Sequence, residues 1–376
     1  MATLNQSSTI VIKVGSALLV DALGCIKTVW LESVAQDIAK LKANGKKIVV
    51  VSSGSIAVGK NLLSISDKNT KLDIKQAAAA VGQISLAEAW ANALKKHGIV
   101  AAQMLLTYDD TEERKRHLNA TATMESLLNF GCVPIINEND SVATNEIRYG
   151  DNDRLGARVA VMLGADTLVL LTDVDGLYTA NPQTDSTATH IPELHTITSE
   201  IESMASGGNS LVSTGGMHTK LLASKIAQAG GCKTIMSKGT DLNPINSLNN
   251  GAKHTIIQAT NKPMPARKRW VAGTVEISGT VSIDNGAKSA LIKGASLLPV
   301  GITAITGSFN RGDMLAIKDP DGTEIARGLT LYNSKEALKI LGKNSDEIDA
   351  ILGYHRQGEI IHRDDMVFVG VHNNDT

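Results

Sequence analysis

The sequence predicts an α/β fold: a mostly parallel sheet covered on both faces, followed by a second, smaller β-rich domain. Two observations predict it. Short apolar runs without inside/outside alternation recur between helical patterns through the first 260 or so residues, as strands buried on both faces require. Around residue 262 this texture gives way to closely spaced turn signals. At 376 residues the chain is long for one domain and comfortable for two.

The first strand is predicted at Thr9–Val14, inside "STIVIKVGSALLV", and it raises a question because Lys13 interrupts the apolar run. An unpaired buried ammonium costs several kcal/mol. Either Lys13 reaches water, or it stands at the strand end and meets something anionic. Thr28–Ala43 follows as an amphipathic helix, with Val34, Ile38 and Leu41 on one face and Gly45 as its stop. Lys47–Ser52 is the second strand. Gln76–Leu94 reads as a helix, Val100–Leu106 as a strand, Glu112–Phe130 as a helix, and Cys132–Ile136 and Thr167–Thr172 as strands, with a weaker strand at Lys233–Met236.

Beyond these, "NKPMPARKRW" carries two prolines and a basic cluster, and turns are read at Ser278-Gly279, Asp284-Asn285-Gly286, Asn310-Arg311-Gly312 and Asp321-Gly322. The expected organisation is a first domain over 1–262, a linker over 263–279, the β domain over 280–368 and a disordered tail over 369–376.

Composition narrows the function. A formal net charge of −1 and only 3% aromatic residues argue against a chain built to hold nucleic acid. The three cysteines, Cys25, Cys132 and Cys232, are too dispersed for a disulfide framework or a CxxC metal site, which fits a reducing cytoplasm. No apolar stretch approaches the ~20 residues of a membrane span, and "MATLNQSS" lacks the features of a signal peptide.

Ligands of open parallel sheets bind beyond the carboxyl ends of the strands. Four predicted strands end in small, polar or glycine residues: Lys13-Val14-Gly15-Ser16, Ser52-Ser53-Gly54-Ser55, "INENDSVATNEIRYGDND" and Thr172-Asp173-Val174-Asp175-Gly176. Their coincidence points to one shared cleft, where Lys13 would meet a phosphate. "GSIAVGKN" nearly matches a phosphate-binding loop, but Asn61 replaces the hydroxyl residue that motif needs, so its glycines are read as shaping a substrate loop. "STGGMHTK" (213–220) would suit phosphates through backbone N–H groups, a helix N-terminus and Lys220. The dense carboxylates of "NEND" and "GDND", with Glu138 and Glu146, would bind a cation or an ammonium group, or cap helices; Asn152 or Asp153 suits the N-cap of the helix that follows. No His/Cys cluster suggests zinc, and no GxSxG or HExxH stretch is present.

"VIKVGS", "VVVSSGSIAVG", "VPIINENDSVA", "YGDND", "LLTDVDGLYTANP" and "STGGMHTKL" occur in the order seen in the gamma-glutamyl kinases, the glutamate kinases of proline biosynthesis within the amino-acid kinase family. "RKRWVAG" and the C-terminal "LLPVGI", "RGD" and "ILGYH" stretches resemble the PUA domain appended to those enzymes. The resemblance implies an α/β/α sandwich that uses ATP and Mg²⁺ to phosphorylate the γ-carboxylate of L-glutamate. It implies Lys13, Lys220 and Asp153 as the catalytic set, with Asp153 orienting the lysines. Ser53, Gly54, Asn137, Asp140 and Asn152 would hold glutamate. Lys13, Thr172, Asp173, Thr214, Gly215, Gly216, Met217, His218, Thr219 and Lys220 would hold the nucleotide. The metal would ride on the ATP phosphates without assigned protein ligands. Ser213 departs from a glycine common in the family. Proline inhibition, a homo-oligomer (dimer or tetramer) and a downstream reductase partner follow only from the resemblance.

The expected nucleophile is a carboxylate with a reference pKa near ~4.3, already ionised at neutral pH, so no general base is required. The rival readings are an acetylglutamate or aspartate kinase, and an RNA-binding or RNA-modifying protein. Residues 281–376 carry 10 Lys+Arg and 13 Asp+Glu, a poor match to a phosphate backbone.

Overall fold

The structure, a computed structural model, describes residues 4–65, 71–142, 152–182, 184–205, 216–259, 277–353 and 358–369. The chain divides into two compact units, Met1–Lys262 and Pro263–Thr376. Most of the expected linker and nearly all of the expected tail lie outside the described residues.

The strands of the first unit are β1 (Thr9–Val14), β2 (Lys47–Ser52), β3 (Ala101–Leu106), β4 (Val133–Glu138), β5 (Thr167–Thr172), β6 (Leu177–Tyr178), β7 (His190–Ile191), β8 (Glu193–Leu194), β9 (Lys233–Lys238) and β10 (His254–Ile257). Its helices are α1 (Ser16–Leu19), α2 (Thr28–Ala43), α3 (Ser55–Leu62), α4 (Leu72–Lys95), α5 (Tyr108–Glu112), α6 (Arg114–Asn129), α7 (Asn152–Leu163), α8 (Ser199–Ala205), α9 (Met217–Ala229) and α10 (Pro244–Asn249).

One eight-stranded sheet runs in the order β3-β4-β2-β1-β5-β9-β10-β8. The six predicted strands are parallel throughout. Two further strands were not read from the sequence. β10 turns back antiparallel to β9, and β8 pairs with it over two residues. The short hairpin β6–β7 forms a separate ribbon.

Alternation along β1 explains how the sheet is covered. Ile10, Ile12 and Val14 enter one core with Trp30, Val34 and Ile38 of α2 and Leu86 and Trp90 of α4. Val11 enters the opposite core, with Met124 of α6, Val159 of α7 and Leu221 of α9. Each fully buried aliphatic side chain stabilises the fold by ~1.5–3 kcal/mol. Lys13 shares the parity of Val11, so it stands where a core residue would be expected.

Two features hold the elements around the strand ends. α3 crosses α4 backbone to backbone: a Cβ on Gly59 would stand 1.7 Å from the Ala78 carbonyl oxygen, and one on Gly82 would stand 1.9 Å from that of Ser55. The second glycine of "GSIAVGKN" is thus a helix-crossing residue and not part of a phosphate loop. Behind α7, the buried Arg158 pairs with Glu112 and donates to Thr111 Oγ1 at 2.5 Å. Its guanidinium lies 3.4 Å from the centre of the Tyr108 ring, fixing α7 against α5 by charge and stacking together.

The second unit carries a five-stranded sheet, β12-β11-β13-β14-β15, formed by β11 (Gly279–Ile283), β12 (Ile302–Gly307), β13 (Met314–Lys318), β14 (Glu324–Thr330) and β15 (Ile361–Phe368). Val281, Leu315, Ile317 and Tyr332 lie in its own core. The turn expected at Asp284-Asn285-Gly286 is a helix start instead. Asp284 caps the helix Asn285–Ile292 by accepting from the Ala287 N–H at 2.7 Å, since a capping aspartate and a turn aspartate present the same sequence signal. Gly279 likewise opens β11 rather than a turn.

Candidate active site

Lys13, next to last in β1, is 7% exposed, and its ammonium lies 2.5 Å from Asp153 Oδ1. Lys220, in the first turns of α9, places its own ammonium 3.2 Å from Asp153 Oδ2. Asp153, 2% exposed, thus takes one lysine on each carboxylate oxygen. Burial alone pushes its pKa up, but the charges of Lys13 and Lys220 and their hydrogen bonds overcome this and hold it below the usual carboxylate range. The trio carries a net charge of about +1. Gly156, one turn after Asp153, faces the stem of Lys13: a Cβ there would lie 3.4 Å from Lys13 Cβ and Cγ. α7 therefore packs closely on the lysine whose head it neutralises.

Thr219 Oγ1 lies 3.4 Å from Asp153 Oδ2 and donates to the Gly216 carbonyl at 2.8 Å. Gly216 caps α9, Met217 and Thr219 are half-buried in its first turn, and His218 is exposed. Thr214 and Gly215, together with Ser213, Glu146 and Asp151, lie outside the described residues.

A second set lines the ends of β2 and β4. Asn152 Nδ2 donates to the Ser52 carbonyl at 3.0 Å, to Ser53 Oγ at 2.8 Å and to Asn137 Oδ1 at 2.8 Å. With the amide nitrogen committed in this way, Asn152 Oδ1 is buried and has no hydrogen-bond partner among the described residues. Asn152 and Asp153 are the first residues of α7, so neither serves as the N-cap expected of them; both side chains reach across to other elements instead. Asn137, at the end of β4, donates to Gln83 Oε1 at 2.7 Å and to Ser55 Oγ at 3.4 Å. Ser55 Oγ in turn donates to Asp140 at 2.8 Å. Burial pushes the Asp140 carboxyl above its ordinary pKa, only partly offset by the Ser55 bond. Gly54 closes the turn from β2 into α3 at φ +110°, a left-handed value that favours glycine.

On the far side of β1, Thr172 ends β5, is 4% exposed and donates to Asp173 Oδ1 at 2.9 Å; Asp173 itself is exposed. Ser55 stands in the strand-end stretch read from the sequence but without an assigned role, and Gln83 is a residue the sequence reading misses. A glutamine beside glycine in the alanine-rich stretch "AAAAVGQISLAEAW" was the available signal, because a polar residue on a buried helix face requires a partner. Among the described residues no group of three or more His, Cys, Asp or Glu side chains could hold a metal, and no helix is long and apolar enough to cross a membrane.

Comparison with known proteins adds lineage to this geometry. The amino acid kinase family matches residues 8–236, and the PUA domain matches residues 279–352. The chain is 53% identical over 361 residues to a glutamate 5-kinase of Agrobacterium fabrum, covering 96% of this chain and 93% of that protein. It is 50% identical over 376 residues to a glutamate 5-kinase of Roseobacter denitrificans, covering 100% of both. Among solved structures it is similar to a UMP kinase from Ureaplasma parvum, with 16% identity and a TM-score of 0.47, over 67% of this chain and 99% of that one.

Proposed function

The chain belongs to the amino acid kinase family, in its glutamate 5-kinase branch, and from that membership we propose how its strand-end cleft transfers the terminal phosphoryl group of ATP to the side-chain carboxylate of L-glutamate. The observation that carries the reading is the pair of ammonium groups held on one buried carboxylate, Lys13 from β1 and Lys220 from α9 on Asp153. Two lysines distant in sequence converge on a single point with net positive charge.

The chemical obstacle is electrostatic. A carboxylate must approach a polyanionic triphosphate, and it is already ionised at neutral pH, so positioning and charge neutralisation carry the catalysis. A γ-carboxylate oxygen forms its bond to the terminal phosphorus as the bridging P–O bond breaks, and ADP leaves with that electron pair. Lys13 and Lys220 neutralise the three equatorial oxygens. Asp153, kept ionised by those same lysines, fixes where their nitrogens stand. Lys13, Thr172, Asp173 and the stretch 214–220, including Gly216, Met217, His218 and Thr219, hold the nucleotide. Mg²⁺ is placed on the ATP phosphates, with no protein ligand assigned.

Ser53, Gly54, Asn137, Asp140 and Asn152 hold glutamate. The unpartnered Asn152 Oδ1 and the Asp140 carboxylate, which has no cation beside it among the described residues, both suit the substrate's α-ammonium. We further propose a cytoplasmic enzyme, homo-oligomeric and inhibited by proline, whose labile acyl phosphate passes to a reductase. The domain limits 1–262, 263–279 and 280–368 belong to the same proposal.

The test is ATP turnover by the full-length protein with L-glutamate, N-acetyl-L-glutamate, L-aspartate or no acceptor, with and without L-proline. Turnover only with L-glutamate, depressed by L-proline, is the expected result. Preference for another acceptor would overturn the glutamate assignment.

A further inference from the structure

We propose that Lys253, Tyr178 and Asp175 form a brace that positions the loop after β5 for the nucleotide, so that they serve ATP binding and not glutamate binding. This rests on the reading above that Thr172 and Asp173 contact the nucleotide.

β5 ends at Thr172, and the chain enters β6 at Leu177. Asp175 and Tyr178 therefore sit two and five residues beyond Asp173. Because β10 runs antiparallel to β9, its first residue, His254, pairs with Ser237 near the carboxyl end of β9. The reversal carries Lys253, just before β10, to the sheet edge where the nucleotide loop emerges. There its ammonium donates to the Tyr178 hydroxyl at 2.7 Å and stands 3.7 Å from the Asp175 carboxylate. It also lies 4.8 Å from the centre of the Tyr178 ring. Tyr178 donates in turn to Asp175 Oδ1 at 2.8 Å. Carboxylate, phenol and ammonium thus close a three-membered ring of contacts across the loop.

Thr255, inside β10 itself, adds a second tie. Its hydroxyl accepts from the Leu177 N–H at 2.8 Å and donates to the Ile191 carbonyl at 2.6 Å. The start of β10 and the residue before it thus fix the loop at two points.

The brace is half-exposed, with the Lys253 side chain at 49%. Exposed ion pairs add little to global stability. What such a ring does is restrict a short loop, and a small misplacement of a binding group is costly. Its loss should therefore appear in nucleotide affinity and leave the melting temperature alone.

The experiment measures kcat, both KM values and Tm for the full-length enzyme and for Lys253→Met, Lys253→Arg, Tyr178→Phe and Asp173→Ala. Lys253→Met and Tyr178→Phe should each raise the ATP KM about three- to tenfold, the size of one charged hydrogen bond after solvent screening. The glutamate KM, kcat and Tm should stay within about twofold or 2 °C of wild type, and Lys253→Arg should restore most of the ATP affinity. An unchanged ATP KM in Lys253→Met and Tyr178→Phe, or a glutamate KM that rises in parallel, overturns the brace. Asp173→Ala separates the two readings. If it raises the ATP KM while Lys253→Met does not, the brace alone is wrong. If neither does, the nucleotide assignment of the loop falls with it.

Discussion

Lys13 occupies a position that strand parity assigns to the core, and its burial is made tolerable by Asp153 at 2.5 Å. Substitution of Lys13 by alanine should cut turnover by about 10²–10³-fold, the usual cost of removing one preorganised donor, with a smaller change in the glutamate KM; steady-state kinetics in both substrates decide this. Asp140 makes a pH prediction. Burial raises its carboxyl pKa, so on acidification it takes a proton earlier than an ordinary carboxylate and would lose the attraction for the substrate ammonium proposed for it. The glutamate KM should therefore rise as pH falls while still above the normal carboxylate range, and Asp140→Asn should have a high KM with that rise removed. His117 gives a stability prediction of definite sign. Burial lowers its pKa from 6.5 to about 4, opposed by its bond to the Thr111 carbonyl. Between these values the unfolded chain binds a proton that the folded chain refuses, so this contribution is complete above 6.5 and is lost as pH falls toward 4. Urea titrations should show His117→Asn losing about 2 kcal/mol less than wild type between pH 7 and pH 5.

At the scale of elements, the crossing of α3 and α4 is the constraint on the network proposed to hold glutamate. Ser55 opens α3 and Gln83 follows Gly82 in α4, and both touch the Asn137–Asp140 network. The two helices approach so closely that a methyl group on Gly59 would stand 1.7 Å from a backbone oxygen, with no flexible side chain to yield. Gly59→Ala should therefore destabilise the protein by about 1–3 kcal/mol or more. It should also raise the glutamate KM by separating Ser55 from Gln83, while the ATP KM changes less; a thermal melt and a kinetic split measure the two effects. The sequence "GSIAVGKN" invited a nucleotide reading because glycine spacing looks alike whether it serves phosphates or helix contact. Only the presence of Gly82 on a distant helix distinguishes them.

For the whole molecule, the amino acid kinase unit carries every residue placed in the site, and the PUA unit has its own sheet and core. The excess of acidic over basic residues in 281–376 opposes phosphate-backbone binding. Full-length protein should accordingly show no salt-sensitive retention of RNA in filter binding at about 50–200 mM salt; retention that weakens with salt would return RNA recognition to consideration.

The sequence by itself determined the parallel core of the fold, because doubly buried strands leave unbroken apolar runs. It also determined where Lys13, Asn152, Thr172 and Lys220 stand, because polar residues at strand ends and helix starts are conspicuous against those runs. It could not show that Asp153 takes both lysines, that Asn152 spends its amide nitrogen on Ser52, Ser53 and Asn137, or that β10 doubles back to bring Lys253 to the loop after β5. Those pairings join residues between 15 and 140 positions apart. They depend on helix crossing and strand direction, which are settled only when the two faces of the sheet are packed.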